Sequence, residues 1–245
     1  MNTAQVQVRS GTAAALVLAG GSGTRVGAGR NKVYLPVAGR PVIAWSVDAL
    51  AGAPGVGPVV LVVRERDRPL AEEVVARGLT HGAEVEIVVG GATRQASELA
   101  GLRSLAGRID AGGIDVVLVH DGARPLVTGA LVARVLEVAR ATGGAVPGLP
   151  RTDLAAVGEG DTLTGAAPEG LVAVQTPQGF RAAPLLAAYG HAEREGFEGT
   201  DTASCVARFA PGTAVRVVPG EPGNVKITYG ADLPVVEGAL ARRHA

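Results

Sequence analysis

A glycine-rich loop with two cations close behind it is the stretch whose residue types best suit chemistry. The run Gly20-Gly21-Ser22-Gly23-Thr24-Arg25 contains three glycines, and Lys32 follows it. Glycines let the backbone approach a ligand closely, and consecutive N–H groups in such a turn form a concave anion site. The forked guanidinium of Arg25 and the mobile ammonium of Lys32 suit phosphate oxygens. The loop therefore predicts phosphate binding, and a turn that only joins two elements is the alternative.

Two further loops carry polar residues directly after apolar runs. In Gly90-Gly91-Ala92-Thr93-Arg94-Gln95-Ala96-Ser97, backbone groups could read the edge of a nucleobase while the serine supplies a hydroxyl. An ordinary turn with a surface arginine is the alternative. In His120-Asp121-Gly122-Ala123-Arg124, the aspartate follows a buried strand, where a metal or ribose ligand is expected, and the arginine could hold an anion. That aspartate and arginine could instead form a structural ion pair, and His120 is interpreted as a packed histidine.

Lys226 is a third cation, and its apolar setting predicts an anionic partner. It lies in the run Val225-Lys226-Ile227-Thr228, and charges in apolar segments are rarely buried unpaired. A lysine on an edge strand with its ammonium in solvent is the alternative. Arg25, Lys32 and Lys226 with the acid Asp121 suit a nucleoside triphosphate. Such a set can catalyse nucleotidyl transfer, in which an acceptor phosphate attacks the α-phosphorus and pyrophosphate leaves.

Apolar runs alternate with helical patterns up to about residue 147. The runs at 13–19, 59–63, 85–89 and 116–119 predict buried strands, and Asp67, Thr93, Thr128 and Asp201 are positioned to cap helices. The alternation predicts an α/β fold with a doubly wound, mostly parallel, Rossmann-like sheet in one domain over residues 1–245. Ligands of such sheets bind beyond the carboxyl ends of the strands, where the loops described above are expected.

An irregular segment at about residues 148–171 interrupts this alternation. It has few large apolar side chains and a hairpin signal at Gly158-Glu159-Gly160-Asp161. Because such a segment cannot bury itself well, we expect a protruding arm that leans on a second subunit. A flexible surface loop is the alternative.

The composition excludes several classes of protein. The 23 basic and 23 acidic residues cancel, so no net field draws the chain to nucleic acid or to an anionic membrane. Aromatic residues make up only 3%, which argues against base-stacking platforms. Cys205 is the only cysteine, as expected in a reducing cytoplasm. We expect no signal peptide and no membrane span, and the dinucleotide and P-loop motifs are not matched.

The motifs, taken in order, resemble those of one family, the 2-C-methyl-D-erythritol 4-phosphate cytidylyltransferases. The matching segments are Leu18 to Arg25, Asn31-Lys32-Val33-Tyr34-Leu35, Gly90 to Ser97, Val119 to Pro125, Gln175 to Phe180, Thr200-Asp201 with Ala203-Ser204, and Val225 to Thr228. Each motif alone has low specificity, but the ordered set is highly specific. The resemblance extends from about Ala13 to Leu240.

This resemblance implies a cytidylyltransferase that moves CMP from CTP to methylerythritol phosphate, with Mg²⁺, as a homodimer. The cytoplasmic location and the lack of nucleic-acid and membrane partners are expected from the composition. The resemblance implies three catalytic cations, Arg25, Lys32 and Lys226. It implies nucleotide contacts from Leu18, Ala19, Gly20, Gly21, Ser22, Gly23, Gly90, Gly91, Arg94, Ser97 and Asp121. Asp121 would also lie near the metal, and the acceptor would be bound by Arg124, Thr152 and Thr176, with the arm of one subunit completing the partner's acceptor site.

The chain departs from the family pattern at a few positions. Asn31 stands where the family usually has proline, and Gly122 where it has alanine. In the arm the usual Asp-Thr pair is replaced by Thr152-Asp153, and Pro168 occupies the position of an arginine that holds the acceptor's phosphate. Two alternatives therefore stay open: a cytidylyltransferase for another acceptor, such as a polyol phosphate or phosphonate, and a nucleotide-binding protein without turnover.

Overall fold

A mixed sheet of eight strands forms the centre of the structure. The computed structural model describes residues 12–21, 31–77, 79–80 and 84–244. The strands in these ranges are β1 (Thr12–Leu18), β2 (Pro36–Val37), β3 (Arg40–Pro41), β4 (Val56–Val63), β5 (Val85–Val89), β6 (Ile114–Asp121), β7 (Gly143–Pro150), β8 (Ala155–Val157), β9 (Leu163–Ala166), β10 (Val172–Val174), β11 (Gln178–Arg181) and β12 (Ala214–Pro219).

Helices cover both faces of this sheet. They are α1 (Val42–Ala51), α2 (Arg68–Arg77), α3 (Arg94–Ser104), α4 (Ala106–Asp110), α5 (Gly129–Thr142), α6 (Ala182–Arg194), α7 (Thr202–Phe209) and α8 (Asp232–His244). Three of the four predicted caps are confirmed, because Thr93, Thr128 and Asp201 accept from backbone N–H groups in the first turns of α3, α5 and α7.

The sheet is parallel where strand and helix alternate and mixed beyond that region. Its order is β10-β7-β11-β6-β1-β4-β5, with β12 paired to β7. The neighbours β6-β1-β4-β5 run parallel, whereas β11 runs antiparallel to both β6 and β7. The predicted α/β class is confirmed. The antiparallel strands follow the arm, where the chain returns to the sheet without a crossover helix.

Alternating side chains of β1 pack into two separate cores. Ala13, Ala15 and Val17 face one core with α1, α2 and α5, while Ala14 and Leu16 face the other with α3, α4, α6 and α7. A strand covered on both faces needs apolar residues at every position, which explains the unbroken apolar run of β1. This three-layer arrangement fixes the carboxyl ends of β1, β4, β5 and β6 at one edge.

The predicted arm contains a two-stranded hairpin, β8–β9. The residues between its strands form a short 3-10 turn at Glu159–Asp161, where the sequence predicted a hairpin. Three of its large apolar side chains are exposed, Leu154 by 40%, Val157 by 61% and Leu163 by 70%.

Two local expectations differ from the structure. Asp67, placed by the sequence pattern as the cap of α2, ends a 3-10 turn and its carboxylate accepts a hydrogen bond from Asn31 Nδ2 at 3.0 Å. The segment around Lys226 has no strand geometry, so the edge-strand interpretation of this lysine is wrong. In the described ranges, no helix is both long enough and apolar enough to cross a bilayer.

Candidate functional site

A cavity of about 320 Å³ opens at the carboxyl edge of β1, β4, β5 and β6. The loops after these strands contribute most of its walls, as the topology rule for parallel sheets requires. Its lining residues are Leu18, Gly20, Gly21, Lys32, Val33, Arg64, Gly91, Ala92, Thr93, Arg94, Ser97, Asp121, Ala123 and Lys226. The sequence contains two lysines, and both are in this lining.

Asp121 is the anionic centre of the cavity. It is the last residue of β6 and is only 7% exposed. Its Oδ1 accepts from Arg94 Nη1 at 2.5 Å, and its Oδ2 accepts from Lys226 Nζ at 2.7 Å. Burial by itself raises the pKa of Asp121, but Arg94 and Lys226 outweigh it and hold the pKa well below its ordinary value. The predicted anionic partner of Lys226 is thereby confirmed, and Arg94 is not an ordinary surface arginine.

Arg124 contributes little to this ion pairing. Its Nε lies 3.9 Å from Asp121 Oδ2, whereas its Nη1 donates to the carbonyl of Asn224 at 2.8 Å. Asp121 and Arg124 therefore do form an ion pair, but a longer one than the acid makes with Arg94 and Lys226. Arg124 also ties the end of β6 to the loop before Lys226.

His120 supports the same strand end from inside the protein. It is fully buried, and burial lowers its pKa to about 4, so its imidazole is neutral. Because Nε2 faces the carbonyl of Arg124 at 3.2 Å, Nε2 carries the proton and Nδ1 accepts from Thr176 Oγ1 at 3.1 Å. The Thr176 hydroxyl also receives the backbone N–H of Asp121 at 3.0 Å. The prediction of a packed, hydrogen-bonded histidine is confirmed.

The loop that carries Lys226 is held by buried amides rather than by regular structure. Asn224, fully buried, donates Nδ2 to the carbonyl of Thr176 at 2.8 Å. Gln175 makes two hydrogen bonds with the backbone of Glu221. Gln175 Nε2 donates to the carbonyl of Glu221 at 2.8 Å, and Gln175 Oε1 accepts from the N–H of Glu221 at 3.0 Å. These bonds replace a strand ladder, so the lysine is anchored on an irregular segment.

Asn31 connects the turn of Lys32 to the end of β1. Its Nδ2 donates to the carbonyl of Ala19 at 2.6 Å, and its Oδ1 accepts from Val33 N at 3.4 Å. Lys32 begins a 3-10 turn, Lys32–Tyr34, whose three residues are all buried. The departure from the family's proline at this position therefore adds a side-chain contact to Ala19, the residue directly before the glycine-rich loop.

The loop after β5 brings its backbone close to the first turn of α3. A Cβ added to Gly91 would lie 2.5 Å from Ala96 Cβ, so only glycine fits there. Ser97 Oγ donates within the turn, with the carbonyls of Thr93 at 2.8 Å and Gly91 at 3.2 Å as its acceptors. Its hydroxyl proton is thus used locally, which leaves the oxygen lone pairs as acceptors in the lining of the cavity.

Several predicted site residues lie outside the cavity lining. Three others, Ser22, Gly23 and Arg25, are not among the described residues. The backbone N–H groups of Ala19 and Gly90 both bond into the sheet, to Val62 and Val63 respectively. Thr176 accepts the backbone N–H of Asp121, and Arg124 donates to the carbonyl of Asn224. Thr152 is exposed on the arm.

Two functional candidates were missed by sequence reasoning. Arg64 lines the cavity. The sequence feature that could have identified it is its position directly after β4, the same criterion that selected Asp121. Glu98, only 1% exposed, receives Arg94 Nε on Oε1 at 2.8 Å. Its signal is the i, i+4 spacing to Arg94 on one helix, but nothing in the sequence indicates that this pair is buried.

A three-layer α/β fold with a cationic, glycine-edged cavity at the carboxyl edge is typical of proteins that bind nucleotides and other phosphate-bearing ligands. In the described ranges, no group of three or more His, Cys, Asp or Glu side chains gathers as a metal centre would require. The described lining of the cavity supplies mainly cations, backbone groups and one carboxylate.

Comparison with known proteins identifies the family. The family model of IspD, 2-C-methyl-D-erythritol 4-phosphate cytidylyltransferase, matches residues 13–242. A protein of that name from Cereibacter sphaeroides is 42% identical over 231 residues, covering 94% of this chain and 97% of its own. The crystal structure of the Thermus thermophilus enzyme of that name is 36% identical, with a TM-score of 0.68 over 93% of this chain and 98% of that one.

The fold agrees with a further solved structure. The 4-diphosphocytidyl-2C-methyl-D-erythritol synthase from Anaerococcus prevotii matches with a TM-score of 0.80 over 95% of this chain and 99% of that one, at 24% identity. The chain belongs to the 2-C-methyl-D-erythritol 4-phosphate cytidylyltransferase family. The resemblance inferred from the ordered motifs is confirmed.

Proposed function

We propose that the protein transfers CMP from CTP to 2-C-methyl-D-erythritol 4-phosphate and releases pyrophosphate. One observation carries the proposal for this member of the family: both lysines of a chain otherwise supplied with arginine line one cavity, around a single acid, Asp121. Lysine is a compact, mobile point charge that can follow a phosphate through a reaction, which the rigid fork of arginine does less well.

The CTP end of the cavity is made mainly of backbone. Gly20 and Gly91, which have no side chains, present main-chain groups to the space beside Leu18. Fixed main-chain donors and acceptors discriminate the amino edge of cytosine from the carbonyl edge of uracil. Ser97 would add a hydroxyl oxygen as an acceptor. We assign the base to this end because its walls carry few charged side chains.

The cations act on the triphosphate. An oxygen of the acceptor phosphate attacks the α-phosphorus, the bond from that phosphorus to the bridging oxygen breaks, and pyrophosphate leaves with the bonding electrons. Lys32 and Lys226 would stabilise the negative charge that builds on the phosphoryl oxygens. Arg25 joins them by resemblance to the family.

A divalent cation fits this site in only one way. Mg²⁺ is typically held by one or two carboxylates together with substrate phosphates, and Asp121 is the single acid among the described lining residues. Each of its oxygens already receives a cation and retains a lone pair. Asp121 would therefore hold the metal together with triphosphate oxygens, and the bound metal would neutralise charge on the leaving pyrophosphate.

The acceptor end would be completed by the arm of a second subunit. The exposed apolar side chains of Leu154, Val157 and Leu163 support an arm that is covered in a homodimer. Thr152 sits beside an ion pair in which Arg151 Nε meets Asp153 Oδ1 at 2.6 Å. Arg151 is the arginine of the arm that would bind the acceptor's phosphate in place of the one missing at Pro168, and its pair with Asp153 would then have to open. A cytoplasmic location stays a prediction from the composition.

The direct test is pyrophosphate release with CTP and Mg²⁺. We expect release with methylerythritol phosphate, and none with ribitol phosphate or without an acceptor. Release with ribitol phosphate instead would assign another acceptor, and CTP binding without any release would indicate a nucleotide-binding protein that has no turnover.

Lys32→Ala tests the assigned mechanism. Because Lys32 is assigned to transition-state charge, kcat should fall about 100-fold or more, while the Kd for CTP from calorimetry changes far less. Arg77→Ala, at an exposed cation on α2, is the control and should behave as the wild type. An unchanged rate in Lys32→Ala would remove the lysine from the mechanism.

A further inference from the structure

Glu98 is a buried carboxylate directly behind the candidate site. It lies in the second turn of α3 and is 1% exposed. Of the side chains that line the cavity, Arg94 is the one that Glu98 meets, through Arg94 Nε and Glu98 Oε1 at 2.8 Å. Burying a carboxylate is unfavourable unless it is paired and hydrogen-bonded, so this position calls for a reason.

Three donors converge on Glu98 from three helices. Besides Arg94 on α3, Tyr189 of α6 donates its hydroxyl to Oε2, and Thr202 of α7 donates its hydroxyl to Oε1 at 3.2 Å. Burial raises the pKa of Glu98, and Arg94 with the two hydroxyls opposes that rise. Since all three of these partners are donors, the arrangement suits an ionised carboxylate fixed in one orientation.

The guanidinium of Arg94 joins this buried acid to the cavity. Its Nε binds Glu98 and its Nη1 binds Asp121 at 2.5 Å, while Asp121 holds Lys226 at 2.7 Å. Charges therefore alternate from the helix layer to the cavity, in the order Glu98, Arg94, Asp121, Lys226. A planar guanidinium fixed at Nε has little freedom at Nη1, so its anchor determines where Nη1 lies.

We propose that Glu98 is a positioning residue, whose carboxylate, fixed by α6 and α7, holds Arg94 so that Nη1 meets Asp121 at the wall of the cavity. The inference rests on the proposed function, because the purpose of the arrangement is to orient Asp121 and Lys226 toward the triphosphate. Glu98 also divides the charge of Arg94 between two carboxylates, which leaves Asp121 more negative charge for Lys226 and for a metal.

Glu98→Gln tests this with the shape of the side chain retained. We expect kcat to fall about tenfold, the effect of weakening one charge-assisted hydrogen bond, with KM for CTP changed by less than about threefold. Glu72→Gln is the matched control, because Arg68 Nε and Glu72 Oε1 form the same i, i+4 pair at 3.0 Å on the surface of α2. Circular dichroism and thermal melting establish that each variant is folded.

A double-mutant cycle with Arg94→Ala separates positioning from a structural role. If Glu98 acts through Arg94, Glu98→Gln produces no further loss of kcat in the Arg94→Ala background. If Glu98 only ties α3 to α6 and α7, the loss is the same in both backgrounds and the inference is overturned. Tyr189→Phe, which removes one donor to Glu98, should reduce kcat in the same Arg94-dependent way, and it substitutes for Glu98→Gln should that variant not fold.

The two lysines give a readout that does not need turnover. In protein labelled with ¹³C-lysine, Lys226→Arg assigns the two side-chain signals. Glu98→Gln should shift the Lys226 signal, and the same change in the Arg94→Ala background should not. An unmoved Lys226 signal together with unchanged kcat refutes the inference. An inactive wild type refutes the proposed function instead, and the signal of Lys226 then still decides the role of Glu98.

Discussion

Asp121→Asn is the substitution that most directly tests how the cavity holds its cations. The acid receives Arg94 and Lys226 on separate oxygens, at 2.5 and 2.7 Å. Asparagine keeps the shape of the side chain but offers one acceptor oxygen and an NH₂ group that repels the second cation. Arg94 and Lys226 then face each other across a neutral amide, and one of them must move away.

The expected losses follow from these two contacts. A hydrogen bond between charged groups contributes about 1.5–3 kcal/mol, and the lower end applies because the side chains of Arg94 and Lys226 are 31% and 38% exposed, where solvent screens the interaction. With one neutral bond retained, the free energy of unfolding should fall by about 2 kcal/mol. Displacing a catalytic cation should lower kcat/KM about 100-fold or more.

Urea unfolding and initial rates of pyrophosphate release measure the two effects. Asp115→Asn is the control, since Asp115 lies at the other end of the same strand and pairs with Arg140 at 2.7 Å, with both side chains partly exposed. The control should lose up to about 1 kcal/mol and keep its kcat/KM. If Asp121→Asn loses no more activity than Asp115→Asn, the assignment of Asp121 as the centre of the site is wrong.

The pH dependence of stability provides a second check on the same residue. Arg94 and Lys226 hold the pKa of Asp121 below its unfolded value, so the folded state binds this proton less readily than the unfolded state. Its contribution is therefore complete above the unfolded pKa of about 4 and declines as the pH falls below it. The difference in unfolding free energy between wild type and Asp121→Asn should be constant from pH 8 to about 5 and shrink below about 4. A difference that grew on acidification would contradict this.

Two further predictions concern the loop after β5, which we assign to the base of CTP, and the arm. Gly91→Ala should raise KM for CTP about tenfold or more, because its Cβ would lie 2.5 Å from Ala96 Cβ. The control is Gly129→Ala, at the start of α5 with open space around it, which should leave the kinetics unchanged. Equal behaviour of the two variants would argue against a tightly packed loop after β5. Leu163→Asp should convert the proposed dimer to monomer in sedimentation, since this arm side chain is 70% exposed and apolar burial would be lost. Val235→Asp, 60% exposed on α8, is its control, and an intact dimer in Leu163→Asp would exclude the arm as the contact.

Local patterns in the sequence specify the elements and the family. The unbroken apolar run of β1 requires burial on both faces, and it is covered by helices on both. Thr93, Thr128 and Asp201 were identifiable as caps because capping depends on a side chain and an N–H group two or three residues on. For the same reason, glycines and cations after successive strands indicated the edge of the sheet that carries the cavity.

Tertiary structure alone decided which charges meet. Asp121 had a nearby arginine in Arg124, yet it pairs closely with Arg94 and Lys226, because strands β5 and β6 end at the same edge and an irregular loop returns to it. Glu98 appears in the sequence as one of several helical i, i+4 acids, comparable to Glu72. Only the packing of α6 and α7 over α3 buries it and supplies its two hydroxyl partners. Burial and the distance between remote segments are properties of the folded chain, so no local pattern could distinguish the carboxylate of Glu98 from that of Glu72.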